Sequence, residues 1–366
     1  MKVAKAPTVY DVAERAGVSI ATVSFAFRRP EKVKPATREI VFAAARELGY
    51  VPSASARGLA DGRTRALGLF SFDYLLDGPD HQAQPGTAPP DQLSTLESDR
   101  NEDFRLFPLY VDEVQRGVEL ECWRRGYALM MGGRGHANTE TVVADIAGRV
   151  DGIAVFPHTV PADVLDHIAR RIPVVELSQP SRDDRLNHVT IDNARGMREL
   201  TTHLIRAHQF TDLEFLGDAT GFDQQARFRG FRSALRAANL PVPRSSLSPP
   251  GSTARDAADV ISGVVQRARL PQALVCVTDQ DALAAMDALH AAGIVVPDDI
   301  AVTGFDGIAA GRVVRPTLTT VRQPMEAMGR TAVDILLRRL AHPDGSPISR
   351  QLPVSVVLRE SCGCAL

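Results

Sequence analysis

The sequence predicts a two-part protein: an N-terminal all-α helix-turn-helix head with a hinge, then a larger α/β body whose parallel sheets form two lobes. Three observations carry this. Short capped helical segments fill the first fifty residues, and strand-like and helix-like segments alternate from Ala66 onward. Charge is also divided: residues 1–65 hold twelve Lys and Arg against six Asp and Glu, net +6, which leaves 30 against 38, net −8, for the rest. A basic head on an acidic body implies that only the head meets a polyanion. At 366 residues the chain is too long for one typical domain, so a small module attached to a large one is expected.

In the head, Thr8-Val9-Tyr10-Asp11 has the form of a capping box, and Val12, Ala13 and Ala16 give the first short helix an apolar face before Gly17 ends it. Ser19 is placed to cap a second helix through Phe27. Two short helices joined by a glycine turn make a helix-turn-helix, although the same pattern can be a packing corner of an all-α protein. Lys34-Pro35-Ala36-Thr37-Arg38 opens a third helix with proline in its first turn, and Ile40, Val41, Ala44 and Leu48 stripe it before Gly49.

In the body, strands are expected at Ala66–Phe72, Tyr127–Met131, Gly152–Phe156, Pro173–Leu177, Val189–Ile191, Leu213–Leu216, Ala273–Val277, Ile300–Gly304, Leu318–Val321 and Pro353–Leu358. Helical patterns between them include Val111–Arg125, Asn193–His208, Gln225–Ala238, Asp279–Ala292 and Met325–Leu340. This rhythm means parallel sheets covered on both faces, and so many strands suit two doubly wound lobes with ligand bound outside the carboxyl ends of the strands.

Composition narrows the class. With 44% apolar and 23% charged residues the chain is an ordinary globular protein, and 5% aromatic content argues against a surface built on base stacking. No apolar run reaches the roughly eighteen residues a bilayer demands and none resembles a signal peptide, so a cytoplasmic protein without a membrane partner is expected. Of the four cysteines, Cys122 and Cys276 sit in apolar periodic segments as buried thiols. Cys362-Gly363-Cys364 could bind metal or form a redox couple, but no Cys or His cluster lies beside it in sequence, so the expectation is a passive tail, no metal and no cofactor.

The stretches TVYDVAERAGVSIATVSFAF and VKPATREIVFAAARELGYVPSASARGLADGRT resemble the DNA-binding head of the LacI/GalR family over about sixty residues. The resemblance continues more thinly through Gln115-Arg116-Gly117-Val118, Ile191-Asp192-Asn193, Asp279-Gln280-Asp281-Ala282-Leu283, Gly304-Phe305-Asp306-Gly307 and Pro316-Thr317-Leu318-Thr319-Thr320-Val321. It implies a helix-turn-helix domain over 1–52, a hinge over 53–64 and a periplasmic-binding-protein-like effector and dimerisation domain over 65–366. Its lobes would divide near 180–190, with return crossings near 320 and 345. The polar stretch Leu75–Arg105 is an insertion relative to the family, either a lid or a solvated excursion.

By the resemblance, Ile20, Ala21 and Phe25 form the base-reading face, Thr22 and Ser24 lie against phosphates, and Thr8 and Ser19 belong to the same DNA contact. Phe25 stands where relatives commonly carry a polar residue, often Arg. It can offer only apolar contact, for example to a thymine methyl, unless it packs into the head's core. Ser53–Leu59 looks like the family's hinge segment, with Leu59 as a minor-groove wedge and Arg57 on the backbone; without DNA, Ser53–Thr64 reads as a flexible polar linker. The effector site would draw on Asp73, Ser178, Arg227, Thr278, Asp306 and Gln323, an acid-and-arginine set suited to a polyol, hence a sugar-like effector. Ser178 and Thr278 depart from the family's more usual Asp and Asn, which leaves room for a different ligand.

The implied protein is a homodimeric repressor of operator DNA under allosteric control. Its rival is a sugar-binding or sugar-processing α/β enzyme with an added head. Against that rival stand the missing P-loop, G-x-G-x-x-G, G-x-S-x-G and clustered metal-ligand motifs.

Overall fold

The computed structural model describes residues 7–51, 63–71, 109–133, 139–156, 159–178, 186–267 and 269–364. Arg57, Leu59, Asp73 and the insertion 75–105 lie outside the described residues. The chain divides into two compact units, Met1–Arg65 and Ala66–Leu366.

The head folds as α1 (Val9–Ala16), α2 (Ile20–Arg28) and α3 (Pro35–Leu48). Asp11 accepts hydrogen bonds from the backbone N–H and hydroxyl of Thr8 at 2.6 and 2.7 Å, closing the box that starts α1. Gly17, at φ +63°, turns the chain left-handed, and the Ser19 hydroxyl accepts from Thr22 N–H at 3.1 Å to start α2. A single-turn 3-10 helix at Pro30–Lys32, absent from the sequence expectation, leads into α3. Val12, Ala13, Val23, Ala26, Val41, Ala44 and Ala45 fill the shared core. Phe27, not Phe25, is the aromatic that packs inward, 5.1 Å from Phe42 and 5.9 Å from Tyr50 between ring centres.

The body has two sheets among the described residues. The first contains β1 (Ala66–Ser71), β2 (Ala128–Gly133), β3 (Gly152–Val155), β4 (Val174–Leu177), β5 (Asn187–Ile191) and β10 (Ser349–Leu352), in spatial order β10-β5-β4-β3-β1-β2. The second contains β6 (Leu213–Leu216), β7 (Ala273–Cys276), β8 (Ala301–Asp306), β9 (Thr319–Arg322) and β11 (Ser355–Val357), in order β11-β9-β8-β7-β6. All pairings are parallel except β11 against β9. The chain passes between sheets in the intervals 191–213, 322–349 and 352–355.

The helices are α4 (Leu109–Arg125), α5 (Thr139–Arg149), α6 (Ala162–Ala169), α7 (Asn193–Ala207), α8 (Phe222–Ala237), α9 (Ala257–Val265), α10 (Asp279–Ala291) and α11 (Met325–Ala341). No described helix is long and apolar enough to cross a membrane. The period of two in β3 shows why the sheet is covered twice: Ile153 and Val155 join one core with Phe70, Ile146 and Val174, while Ala154 and the following Phe156 join another with Leu67, Leu69 and Val175.

Two glycines set close helix approaches. A Cβ on Gly117 of α4 would fall on the Glu326 carbonyl of α11, and one on Gly230 of α8 on the Ala194 carbonyl of α7.

The carboxyl terminus is not a passive tail. Ser361 donates to the Val302 carbonyl at 2.6 Å and accepts from Thr319 N–H at 2.9 Å, and Cys362 is fully buried. The tail is sewn to β8 and β9 by polar side chains, which carry no apolar signal in the sequence. Cys122 and Cys276 are buried free thiols, as expected.

Candidate functional site

In the head, α2 turns Val23 and Ala26 inward and leaves Ile20, Ala21 and Phe25 exposed, Ile20 at 42% and Phe25 at 43%. Thr22 and Ser24 are half-buried beside them. At 100° per residue, positions 20, 21, 24 and 25 span one face of roughly 140°. The face is apolar with hydroxyls along it, and Phe25 is not spent on the core. Thr8 is half-buried and Ser19 exposed, and both are engaged in starting helices.

In the body, the site grows from the carboxyl ends of the second sheet. Asp306 is the last residue of β8, Gln323 follows β9, and Thr278 follows β7 as the N-cap of α10. Arg227, in the second turn of α8, is buried and has its guanidinium 3.9 Å from the centre of the Phe305 ring. Its Nε donates to Asn193 Oδ1 at 2.9 Å and Nη1 to the Val277 carbonyl at 2.8 Å; Nη1 also lies 3.2 Å from Asp306 Oδ1. Gln323 Nε2 donates to that same oxygen at 2.7 Å. Asn193 is the first residue of α7 and in turn donates to Asp223 at 2.8 Å. It reaches Arg227 because Gly230 admits the α7 backbone against α8.

The centre is rich in acid. Burial pushes the carboxyls of Asp223, Asp281 and Asp306 up to about 6, with the Arg227 charge opposing the rise in each. Asp279 rises to about 7, first through burial and then through repulsion from Asp306. Asp279 holds the backbone rather than a visitor: its Oδ2 accepts from the N–H groups of Gly307 and Ile308 at 2.7 and 2.9 Å, and its Oδ1 from the Thr320 hydroxyl at 2.5 Å. That clamp fixes a turn in which Asp306 has φ +131°, a conformation few L-residues adopt and one that collects at binding sites.

Asp306, Arg227 and Gln323 are therefore brought together, with Thr278 at their edge. The Thr278 hydroxyl is committed to Asp281, donating to its carboxylate and accepting from its N–H at 3.1 Å. Ser178 stands apart, at φ +59° just past β4, and pairs with the Tyr110 hydroxyl of α4 at 2.6 Å. Burial raises the Tyr110 phenol, and the phenol lies within the electrostatic reach of Asp223, Asp306 and Arg227. The first lobe also touches the turn after Asp306, where Glu113 of α4 accepts from Ala309 N–H at 3.2 Å. Asn193, Asp223, Phe305 and Tyr110 were not assigned roles from sequence. Asn193 and Phe305 stand inside recognised landmark stretches, whereas Tyr110 and Asp223 carry no local signal.

Comparisons with known proteins match this arrangement. Residues 8–53 match the model for "Bacterial regulatory proteins, lacI family" and residues 201–362 that for "Periplasmic binding protein-like domain". The "HTH-type transcriptional repressor PurR" of Vibrio parahaemolyticus is 30% identical, over 97% of this chain and 98% of its own. The chain belongs to the LacI family. It is a DNA-binding transcriptional regulator under small-molecule control, with a type I periplasmic-binding-protein-like body. Among solved structures, a "transcriptional regulator CelR-cellobiose complex" is 26% identical with a TM-score of 0.64, covering 97% of this chain and 99% of that one. The lac repressor dimer bound to operator and the anti-inducer ONPF has the same fold at 24% identity, with a TM-score of 0.76 over 98% of this chain and 99% of its own.

Proposed function

We propose that this LacI-family member is a cytoplasmic homodimeric repressor that reads operator DNA with the Ile20, Ala21 and Phe25 face of α2 and takes a sugar-like effector beside Arg227. The observation that carries the effector reading is the buried Arg227–Asp306 pair. It sets a five-donor cation and an acceptor side by side at the carboxyl ends of the second sheet. A polyol uses both, since each hydroxyl can accept from the guanidinium and donate to the carboxylate. Among the described residues, Arg227 Nη2 has no protein hydrogen bond and the buried Gln323 Oε1 none either, which leaves one donor and one acceptor for a ligand. Phe305 supplies an apolar ring beneath the guanidinium. The complex of the CelR regulator with cellobiose supports a carbohydrate class for the ligand.

The chain acts by binding and not by turnover. Asp279 has both oxygens occupied by Thr320 and backbone N–H groups, and Asp306 Oδ1 is held by Arg227 and Gln323, which suits holding more than proton transfer. Effector that favours one lobe arrangement shifts operator affinity by linkage, through Glu113 and Tyr110 on one side and Arg227 and Asp306 on the other. In the head, Thr22 and Ser24 lie against phosphates with Thr8 and Ser19 beside them, while Leu59 wedges the minor groove and Arg57 grips the backbone.

The test pairs calorimetric titration of mono- and disaccharides with gel-shift binding to the chain's own upstream DNA. Arg227→Ala is expected to abolish the ligand response and keep operator binding; Leu59→Ala is expected to weaken specific binding more than nonspecific. Equal loss in both assays from either change refutes the division of labour, and turnover of a sugar by the wild type refutes the non-enzymatic reading.

A further inference from the structure

We propose that His203, His208, Cys362 and Cys364 form a four-ligand Zn2+ site that fastens the carboxyl-terminal segment to the end of α7. The two histidines stand at the third turn and the C-cap of α7, and Cys364 lies 161 residues from His203 in sequence. Their Nε2 atoms are 3.2 Å apart, and Cys364 Sγ is 3.4 Å from each. All four ligand atoms lie within 4.8 Å of one another.

These lengths are those of a coordination polyhedron. Zinc bonds of about 2.05 Å to nitrogen and 2.3 Å to sulfur, at tetrahedral angles, put ligand nitrogens about 3.3 Å apart and nitrogen from sulfur about 3.6 Å. The three observed edges fall within about 0.2 Å of those values, and Cys362 Sγ is the remaining corner. A set of two imidazoles and two thiols is the donor chemistry of a closed structural zinc site, with no position left for water.

The surroundings are arranged for it. Cys362 is fully buried, and the one proton of the Thr319 hydroxyl is shared between the Arg359 carbonyl at 2.9 Å and Cys362 Sγ at 3.1 Å, a donor that can turn to a metal-bound thiolate. Phe210 stacks on the His208 ring at 5.3 Å and fixes its plane. Gly363, at φ +89°, turns the chain between the two cysteines. The last carbonyls of α7 add the negative end of its dipole. Zn2+ displaces the two thiol protons and leaves a neutral ZnN2S2 unit, which a half-buried place tolerates.

The test is metal content and Co2+ spectroscopy on the reduced full chain. Purified protein is expected to carry about one zinc ion per chain. Chelated protein is expected to take up Co2+ with tetrahedral d–d bands and thiolate-to-cobalt charge transfer. Cys364→Ser and His203→Gln are expected to weaken uptake at least 100-fold, and Thr319→Val about 10-fold, the scale of lost outer-shell support. Zinc release from wild type to a chromogenic chelator gives the same answer if a variant fails to fold. The proposal is overturned if the reduced wild type binds neither metal, if Cys364→Ser keeps full occupancy, or if the cysteines prove joined as a disulfide whose reduction restores no metal uptake.

Discussion

Replacing Asp306 with asparagine removes a charge while keeping the shape and the acceptor for Gln323 Nε2. Intuition says that orphaning the buried Arg227 guanidinium must destabilise the fold, as breaking a buried pair commonly costs about 3–5 kcal/mol. Linkage says otherwise. The Asp306 carboxyl is raised from 3.8 to about 6, chiefly by burial, and the pull of Arg227 is already contained in that value. A raised carboxyl contributes stability that is fully present below about pH 4 and is lost as pH rises through about 6. The loss is about 2 pH units, or about 3 kcal/mol at full ionisation. Neutral Asp306 and asparagine are near-isosteres, so the two proteins should be nearly equal in acid, with Asp306→Asn gaining on wild type as pH rises. Most of the change falls between pH 4 and 7, with about 1 kcal/mol between pH 5 and 7. Urea unfolding of the full chain followed by circular dichroism at these pH values measures it. An Asp306→Asn protein less stable by the same amount at every pH would refute the reasoning, because it would mean that the carboxyl titrates alike in the folded and unfolded chain.

The same ionisation predicts that a hydroxylated effector binds more weakly below about pH 6, as Asp306 loses the charge-assisted acceptor; calorimetry at pH 5 and 7 checks this, and unchanged affinity removes Asp306 from the site. Phe25→Gln should alter the preferred base at one operator position while changing head stability by less than about 0.5 kcal/mol, since the ring is on the surface; selection from a randomised duplex library reads the first and thermal unfolding the second. Ser19→Ala should cost about 1 kcal/mol of head stability by orphaning Thr22 N–H, again read by thermal unfolding. Gly230→Val should drive α7 from α8, costing about 1–3 kcal/mol, and impair effector response by moving Asn193 off Arg227; wild-type stability and response would mean that the close approach is immaterial.

The parts of the fold legible in the sequence are those whose burial is two-sided. Ala273–Cys276 falls within its expected limits because both faces of a strand flanked by two parallel neighbours must be apolar, and all four residues are buried. Ser349–Leu352 was invisible because it is an exposed edge strand, Ser-Arg-Gln-Leu, held by backbone pairing with β5. The short helices α5, α6 and α9 also went unnamed among the stronger patterns around them. At the site, Arg227 and Asp306 could be named because a charged side chain at a strand end or in a helix's early turns is conspicuous once a resemblance supplies the register. Asn193 and Tyr110 could not, since a neutral side chain acquires its role only from what a neighbouring helix brings to it. The four residues of the proposed zinc site mark the limit of such reading. His203 and His208 are an unremarkable pair on one helix, and Cys362 and Cys364 are too close together to make a site alone. Only the crossing of α7 from one sheet to the other, and the return of the tail along β9, bring their ligand atoms within one coordination sphere. Sequence separation hides a metal site whenever each half is incomplete, so pairs of His or Cys left without a partner in sequence are the ones to follow into the fold.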